Sequence, residues 1–174
     1  MDILDKIISA NIFKKEIILK RNEFLKAENS IDSNIYFVKN GSLKISIINE
    51  GEEQIIRFGY DNNLIVALDS FISENKSDYV IQAIKKSTVL VAEKKNFMAF
   101  VNSSSENQNF YIRLLEDLVL QQLEREKDLL LDSPKDRFDR VLARSQQLFQ
   151  LIPNKLIANY LRMSPETFSR LKKS

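Results

Sequence analysis

The hydrophobic pattern of the chain changes from the period of strands to that of helices near Lys94, and this change limits the folds it can adopt. Before that point, short runs rich in β-branched and aromatic residues are separated by polar breaks, as in strands. After it, apolar residues recur at the three- and four-residue steps of a helix. The strand-like runs are EIILK from Glu16, IYFVKNG from Ile35, SLKISII from Ser42, QIIRFGY from Gln54, YVIQAI from Tyr79 and TVLVAEK from Thr88. The order predicts an α+β fold in which an antiparallel β sandwich or jelly roll precedes the helices.

Two of the polar breaks contain glycine and predict tight turns. Asn49-Glu50-Gly51-Glu52 lies between two alternating runs, and Gly51 can adopt the positive φ that a hairpin needs. Asn40-Gly41 predicts a second turn of this kind. Upstream of the strands, Asp2 to Asn11 has apolar residues at helical spacing and predicts a short helix.

A single helix of about 25 residues is predicted from Glu106 to Leu131, because this segment holds neither Gly nor Pro. Its apolar residues form one wide face. That face packs either on a second copy of the same helix, in a homodimer seam over 106–131, or simply on the core of its own chain.

The next helix begins after Asp132-Ser133-Pro134, where Ser133 can cap and Pro134 can occupy the first position. We expect it to run to about Leu148. These breaks predict three parts: a jelly-roll domain at 1–105, a long helix at 106–132 that serves as a dimerisation helix or as a linker, and a small helical domain at 133–174.

The sequence contains no cysteine and no histidine. This excludes disulfides, His/Cys metal sites, thiol nucleophiles and histidine bases. We therefore expect no enzyme, no metal and no cofactor, and a metal-dependent jelly-roll enzyme is disfavoured. No apolar run approaches the length of a membrane span, and the first six residues do not resemble an export signal, so we expect a cytoplasmic protein with no membrane partner.

The charge is uneven although the formal net charge is only +2. The segment 132–174 contains nine basic and four acidic residues, so it is basic while the rest of the chain is acidic. This distribution indicates an anionic partner at the carboxy-terminal end, unless the charges are segregated by chance.

The last residues predict two short crossed helices. Ala158 provides a small side chain at the crossing, and Ser164 can cap the second helix with Pro165 in its first turn. The start of that helix can present side chains that bind base edges in the DNA major groove, while lysines at its end hold phosphates. The predicted base-reading residues are Glu166, Ser169 and Arg170, and the predicted phosphate-binding residues are Lys172 and Lys173.

The segment IANYLRMSPETFSRLKK resembles the helix-turn-helix of the CRP/FNR superfamily, regulators related to the cyclic AMP receptor protein. In that family the motif has the form I-A-x-x-L-G-x-[ST]-x-E-x-x-[SG]-R. YFVKNGSLKI is similar to another family segment, and the order of the parts also agrees. The resemblance implies an eight-stranded jelly roll, a long dimerisation helix and a helix-turn-helix that binds a palindromic site in double-stranded DNA. It places the family's base-reading residues on Glu166, Ser169 and Arg170.

Two features depart from the family pattern. Arg162 stands where the turn usually has glycine, and it must accept a left-handed conformation if the turn is unchanged. We include Arg162 among the DNA-binding residues. The sequence given also ends directly after the second helix, so fewer phosphate contacts are expected. The alternative is a sensor or protein-interaction module whose degenerate helix-turn-helix does not read DNA.

The family's cyclic-nucleotide pocket uses a glutamate and an arginine. Alignment puts Val66 near the glutamate position and Ser77 near the arginine position, with Asp78 beside it. A carboxylate there would repel a phosphate, so we expect no binding of cyclic AMP in the usual way. An unknown small-molecule effector is an open alternative to plain core packing. The candidate ligand-binding residues are Arg57, Val66, Phe71, Ser77, Tyr79 and Gln82.

Overall fold

The computed structural model describes residues 7–173, and the chain divides into two compact units, Met1–Ile112 and Arg113–Ser174. The observed class is α+β, as predicted. Half of the helix predicted over Asp2 to Asn11, residues 2–6, lies outside the described part. Residues 7–9 are helical, and Asn11 adopts a positive φ of 50°.

The strands of the first unit, among the described residues, are β1 (Lys15–Leu19), β2 (Phe24–Lys26), β3 (Ile35–Asn40), β4 (Ser42–Asn49), β5 (Glu52–Tyr60), β6 (Leu64–Ile65), β7 (Val80–Ala83) and β8 (Ser87–Ala92). They form two four-stranded antiparallel sheets, in the orders β1-β8-β3-β6 and β2-β7-β4-β5. Each strand-like run of the sequence falls on a strand, and the arrangement is the predicted jelly roll. Strands β2 and β6 were not predicted.

The two glycine-containing breaks behave differently. Asn49 pairs with Glu52, and Glu50 and Gly51 between them have φ of 51° and 82°, so β4 and β5 form the predicted tight hairpin. The hairpin prediction at Asn40-Gly41 is wrong, because β3 and β4 belong to different sheets. Gly41 has φ of 116°, and a Cβ there would lie 2.2 Å from Ser87 Oγ, so the crossing between sheets requires glycine.

The core of the first unit lies between the inward faces of the two sheets. Residues from both sheets pack in one buried cluster, which includes Val38, Leu43, Ile81 and Val89. Two short helices follow strands, α1 (Leu68–Ser73) after β6 and α2 (Lys94–Val101) after β8. They meet through an edge-to-face contact of Phe71 with Phe97, whose ring centroids are 6.2 Å apart.

The long helix α3 (Ser105–Leu130) agrees with its prediction to within one residue at each end. The second unit continues with α4 (Pro134–Arg144), α5 (Gln146–Leu151), α6 (Asn154–Tyr160) and α7 (Pro165–Lys173). The Ser133 hydroxyl caps α4 as predicted and accepts from the Asp136 backbone N–H at 3.3 Å. The predicted extent of this helix to Leu148 is wrong, because Ser145 adopts φ of −139° and ends it. Serine favours non-helical conformations because its hydroxyl competes for backbone groups.

A buried ion-pair cluster joins α3 to α4. Asp128 is fully buried, and its carboxylate accepts from Arg140 Nε at 2.8 Å and from Arg144 Nη1 at 3.0 Å. Glu124, one turn earlier, pairs with the same two arginines. These contacts fix the second half of α3 against the helices that follow.

Candidate nucleic-acid interface and sensor pocket

Helix α6 ends in a Schellman motif that sets the direction of the following turn. The backbone N–H of Met163 donates to the Ala158 carbonyl at 3.1 Å, and that of Arg162 donates to the Asn159 carbonyl at 3.0 Å. Arg162 has φ of 55°, which is the left-handed conformation that the sequence predicts for it. This motif usually places glycine at the left-handed position.

Helix α7 begins with a complete amino-terminal cap. The Ser164 hydroxyl accepts from the Thr167 backbone N–H at 3.1 Å, and Pro165 is the first residue of the helix. Glu166 lies in the first turn. Hydrogen bonds from its own backbone N–H, and then from Ser164, hold the pKa of the Glu166 carboxyl below its ordinary value. The carboxylate therefore stays ionised and oriented at the start of the helix.

The buried side of α7 is held by an aromatic cluster. Phe168 is 1% exposed, and its ring centroid lies 5.4 Å from that of Phe138 and 6.1 Å from that of Phe149. Leu161 and Ala158 are fully buried in the angle between α6 and α7. The face opposite Phe168 is consequently presented outward.

All six predicted DNA-binding residues are exposed. Two of them have neighbours that restrain their position: Arg170 Nη2 lies 3.4 Å from Thr167 Oγ1, and Lys172 Nζ donates to Asn154 Oδ1 at 2.9 Å. The structure brings five of the six onto α7 and places the remaining one in the turn just before it. They are Arg162, Glu166, Ser169, Arg170, Lys172 and Lys173.

Two arginines that sequence reasoning treated only as charges contact the turn between α6 and α7. Arg137 donates from Nε to the Leu161 carbonyl at 2.9 Å and from Nη2 to the Arg162 carbonyl at 3.2 Å. Arg125 donates to the Tyr160 carbonyl, and its guanidinium carbon lies 3.7 Å from the centroid of the Tyr160 ring. The sequence contains no local signal for these contacts, because each arginine lies more than twenty residues from its acceptor.

The six candidate ligand-binding residues occupy different environments in the first unit. Arg57 lies opposite the core residue Ile45 in the β4–β5 register, so it shares the inward face of its sheet. Gln82 follows the inward-facing Ile81 and points to the other side, where its amide donates to the Asn22 carbonyl at 2.8 Å. A pocket on the inward face would not include Gln82.

The remaining four lie around α1 and the segment before β7. Phe71 is buried beneath Lys94, whose Nζ is 5.2 Å from the ring centroid. Ser77 is 1% exposed, and its hydroxyl accepts from the Tyr79 backbone N–H at 3.1 Å. Val66 and Tyr79 are half-buried.

A buried lysine lies next to Ser77 and was missed by the sequence analysis. Lys26 is 4% exposed, and its Nζ donates to the carbonyls of Ala27 at 3.0 Å, Ser77 at 3.0 Å and Tyr79 at 2.6 Å. Burial lowers the pKa of Lys26, and nearby carboxylates, Asp32 first among them, oppose that shift. The three carbonyls use all three donors of the ammonium.

Two cavities open in the first unit. The larger, about 660 Å³, is lined mainly by polar residues around the start of α2, including Ser33, Glu74, Lys94 and Lys95. The smaller, about 240 Å³, lies against the inward faces of β1, β3 and β8. Among the described residues that line them, neither includes any of the six candidates.

The strand order and these helices agree with known proteins. The chain belongs to the cyclic nucleotide-binding domain family, whose model matches residues 16–104. Comparison with curated proteins finds no match. Over the described residues, no helix is long and apolar enough to cross a membrane, and no cluster of acidic side chains is suited to hold a metal ion.

Several solved structures, among them a transcriptional regulator of the CRP family, have a similar fold. A variant of CooA from Carboxydothermus hydrogenoformans is 17% identical over 91% of this chain and 74% of that chain, with a TM-score of 0.73. FixK2 from Bradyrhizobium japonicum is 15% identical over 91% of this chain and 82% of that chain, with a TM-score of 0.74. A transcriptional regulator of the CRP family from Thermus thermophilus is 13% identical over 90% and 82%, with a TM-score of 0.65. At these identities the likeness shows a shared fold.

Proposed function

We propose that this protein is a DNA-binding transcription regulator of the CRP/FNR type. One observation carries the proposal: Glu166, Ser169 and Arg170 lie together on the exposed face of a capped helix whose other side is packed by Phe168. An α-helix fits the DNA major groove, where Arg binds guanine bidentately and Glu accepts from cytosine. Lys172 and Lys173 then hold phosphates at the end of α7.

The regulator acts as a homodimer through α3. Exposed apolar side chains repeat along one side of this helix at seven-, four- and seven-residue steps, at Ile112, Val119, Leu123 and Leu130. That spacing is typical of a two-helix seam. A dimer supplies two copies of α7, and two recognition helices about 34 Å apart meet successive major grooves of a palindromic site.

The domain organisation follows the same proposal. Residues 1–105 form the sensor, 106–132 the dimerisation helix and 133–174 the DNA-binding domain. The sensor responds to an unidentified signal rather than to cyclic AMP bound in the usual way. The protein works in the cytoplasm as a regulator and not as an enzyme.

Selection from a random pool of double-stranded DNA, followed by gel shift at a stated salt concentration, tests the proposal. The wild type should enrich a palindromic site. Arg170→Ala should relax the preference at one base pair of each half-site, at a cost of about 1–3 kcal/mol. Lys172→Ala is the matched control on the same helix. It should weaken binding to all DNA sequences by the same factor and reduce the slope of log affinity against log salt by about one.

Failure of the wild type to enrich any sequence would contradict DNA reading. It would favour a sensor or protein-interaction module in which α7 has lost that role.

A further inference from the structure

The turn before α7 holds an arginine in a conformation that normally selects glycine. Arg162 has φ of 55° within the Schellman motif that ends α6. For an L-residue this conformation is disfavoured by about tenfold relative to alternatives that avoid it. Something other than residue choice must therefore keep the turn in place.

Arg137 supplies that restraint. Its guanidinium donates to two successive carbonyls of the turn, Leu161 at 2.9 Å and Arg162 at 3.2 Å. The same group also donates to the Leu131 and Asp132 carbonyls at the start of the domain. Carbonyls at a helix end have no partner within the helix, and a planar guanidinium offers them five N–H donors spread over three nitrogens in a fixed geometry, whereas a lysine ammonium offers three donors from one nitrogen.

The arrangement leaves the Arg162 side chain available. Its backbone carbonyl is bound, whereas the side chain is exposed and stands two residues before the Ser164 cap. Phosphates bind readily at helix amino termini, where backbone N–H groups and the helix dipole favour negative charge. Glycine at this position would give the same turn without the cation.

We propose that Arg137 is a positioning residue that holds the turn in its left-handed form, so that position 162 can carry a phosphate-binding arginine in place of glycine. The Arg162 contact rests on the proposed DNA-binding function. The role of Arg137 in the turn does not depend on it.

A double-mutant cycle on the full chain tests the role of Arg137 without DNA. Amide hydrogen exchange is followed at Met163, whose N–H donates to the Ala158 carbonyl across the turn. Arg137→Lys should speed this exchange about tenfold when residue 162 is Arg, because the strained turn relaxes. In the Arg162→Gly background the same substitution should change it less than about twofold, since glycine has no such strain.

Lys135→Ala is the matched control, because it removes an exposed cation from the same helix. The ion-pair partner of Lys135 is Asp139, which lies on that helix and not in the turn. It should leave Met163 exchange unchanged. An equal effect of Arg137→Lys in both backgrounds would mean that Arg137 supports the domain in general, and it would overturn the proposal. If Arg137→Lys unfolds the helices, refolding on addition of Arg162→Gly supports the proposal and continued unfolding overturns it.

DNA binding provides the second readout. Arg162→Gly alone should reduce the slope of log affinity against log salt by about one, the value for one lost phosphate contact. An unchanged slope overturns the phosphate contact. If the wild type binds no DNA, the proposed function and the phosphate contact both fail, and the exchange experiment alone decides the role of Arg137.

Discussion

The fully buried carboxylate of Asp128 on α3 is bound by the guanidinium of Arg144 on α4, with 3.0 Å between Arg144 Nη1 and Asp128 Oδ1. Arg140 binds the same carboxylate. Asp128→Asn would leave two arginines facing a neutral amide, and breaking such a buried cluster is costly. We expect it to lower the free energy of unfolding of the helical unit by about 3 kcal/mol, measured by urea denaturation followed by far-UV circular dichroism.

Asp139→Asn is the control for this prediction. It removes an exposed carboxylate paired with Lys135 on the same helix. An exposed pair contributes little because water screens it. Equal losses of unfolding free energy in Asp128→Asn and Asp139→Asn would show that the burial of Asp128 does not account for the stability that its ion pairs provide.

A pair of glycine substitutions separates steric from conformational requirements in the jelly roll. Both glycines have positive φ, but a Cβ at Gly41 would lie 2.2 Å from Ser87 Oγ, whereas nothing lies within 4 Å of a Cβ at Gly51. Gly51→Ala should cost about 1 kcal/mol, the conformational penalty alone. Gly41→Ala should cost at least about 3 kcal/mol, because Ser87 is buried and must shift. Thermal unfolding of the two variants would measure the difference, and equal melting temperatures would contradict the clash.

The Ser164 cap links the stability of α7 to the ionisation of Glu166. Ser164→Ala should destabilise the helix by about 1 kcal/mol and should raise the pKa of Glu166 toward its ordinary value. Because the folded-state pKa is lowered, the ionised form favours folding. That contribution is present above pH 4.5 and is lost as the pH falls through the folded-state pKa.

Titration of the Glu166 side chain by NMR checks this prediction. Ser164→Thr retains a capping hydroxyl and should leave the pKa lowered. If the pKa of Glu166 is the same in the wild type and in Ser164→Ala, the Ser164 hydroxyl does not contribute to lowering that pKa.

A charged side chain placed among the exposed apolar residues of α3 should prevent dimer formation. Leu123→Glu puts a carboxylate into the proposed seam, where the leucine would otherwise contribute about 2 kcal/mol per chain by burial. Sedimentation velocity should then report a monomer at concentrations where the wild type is dimeric. Gln121→Glu introduces the same charge on the opposite side of the helix, nine residues from Ile112, and should leave the dimer intact.

Calorimetry should detect no binding of cyclic AMP at micromolar concentrations. Ser77, which the sequence predicts to lie near the position of the family's phosphate-binding arginine, is buried and hydrogen-bonded to the backbone of Tyr79. The neighbouring Asp78 would repel a phosphate. Micromolar or tighter binding would contradict the prediction.

Local patterns predicted much of this fold because their causes are local. The β4–β5 hairpin follows from Gly51, and the α7 cap follows from Ser164 and Pro165. Strands β2 and β6 are only three and two residues long, too short for an alternating pattern to be detected. The position of Arg137 against the turn depends on packing between segments distant in sequence, which no periodicity encodes.

The buried ammonium of Lys26 has a consequence for any anion that approaches this part of the first unit. It already satisfies the carbonyls of Ala27, Ser77 and Tyr79 from within the protein. An anion that recruited this ammonium would take one donor from each of the three carbonyls, although that of Ala27 also accepts from the Ser30 hydroxyl at 2.6 Å, and the anion would bear that cost in its own affinity. An anion must therefore compete with the protein's own backbone carbonyls for the most deeply buried lysine among residues 7–173.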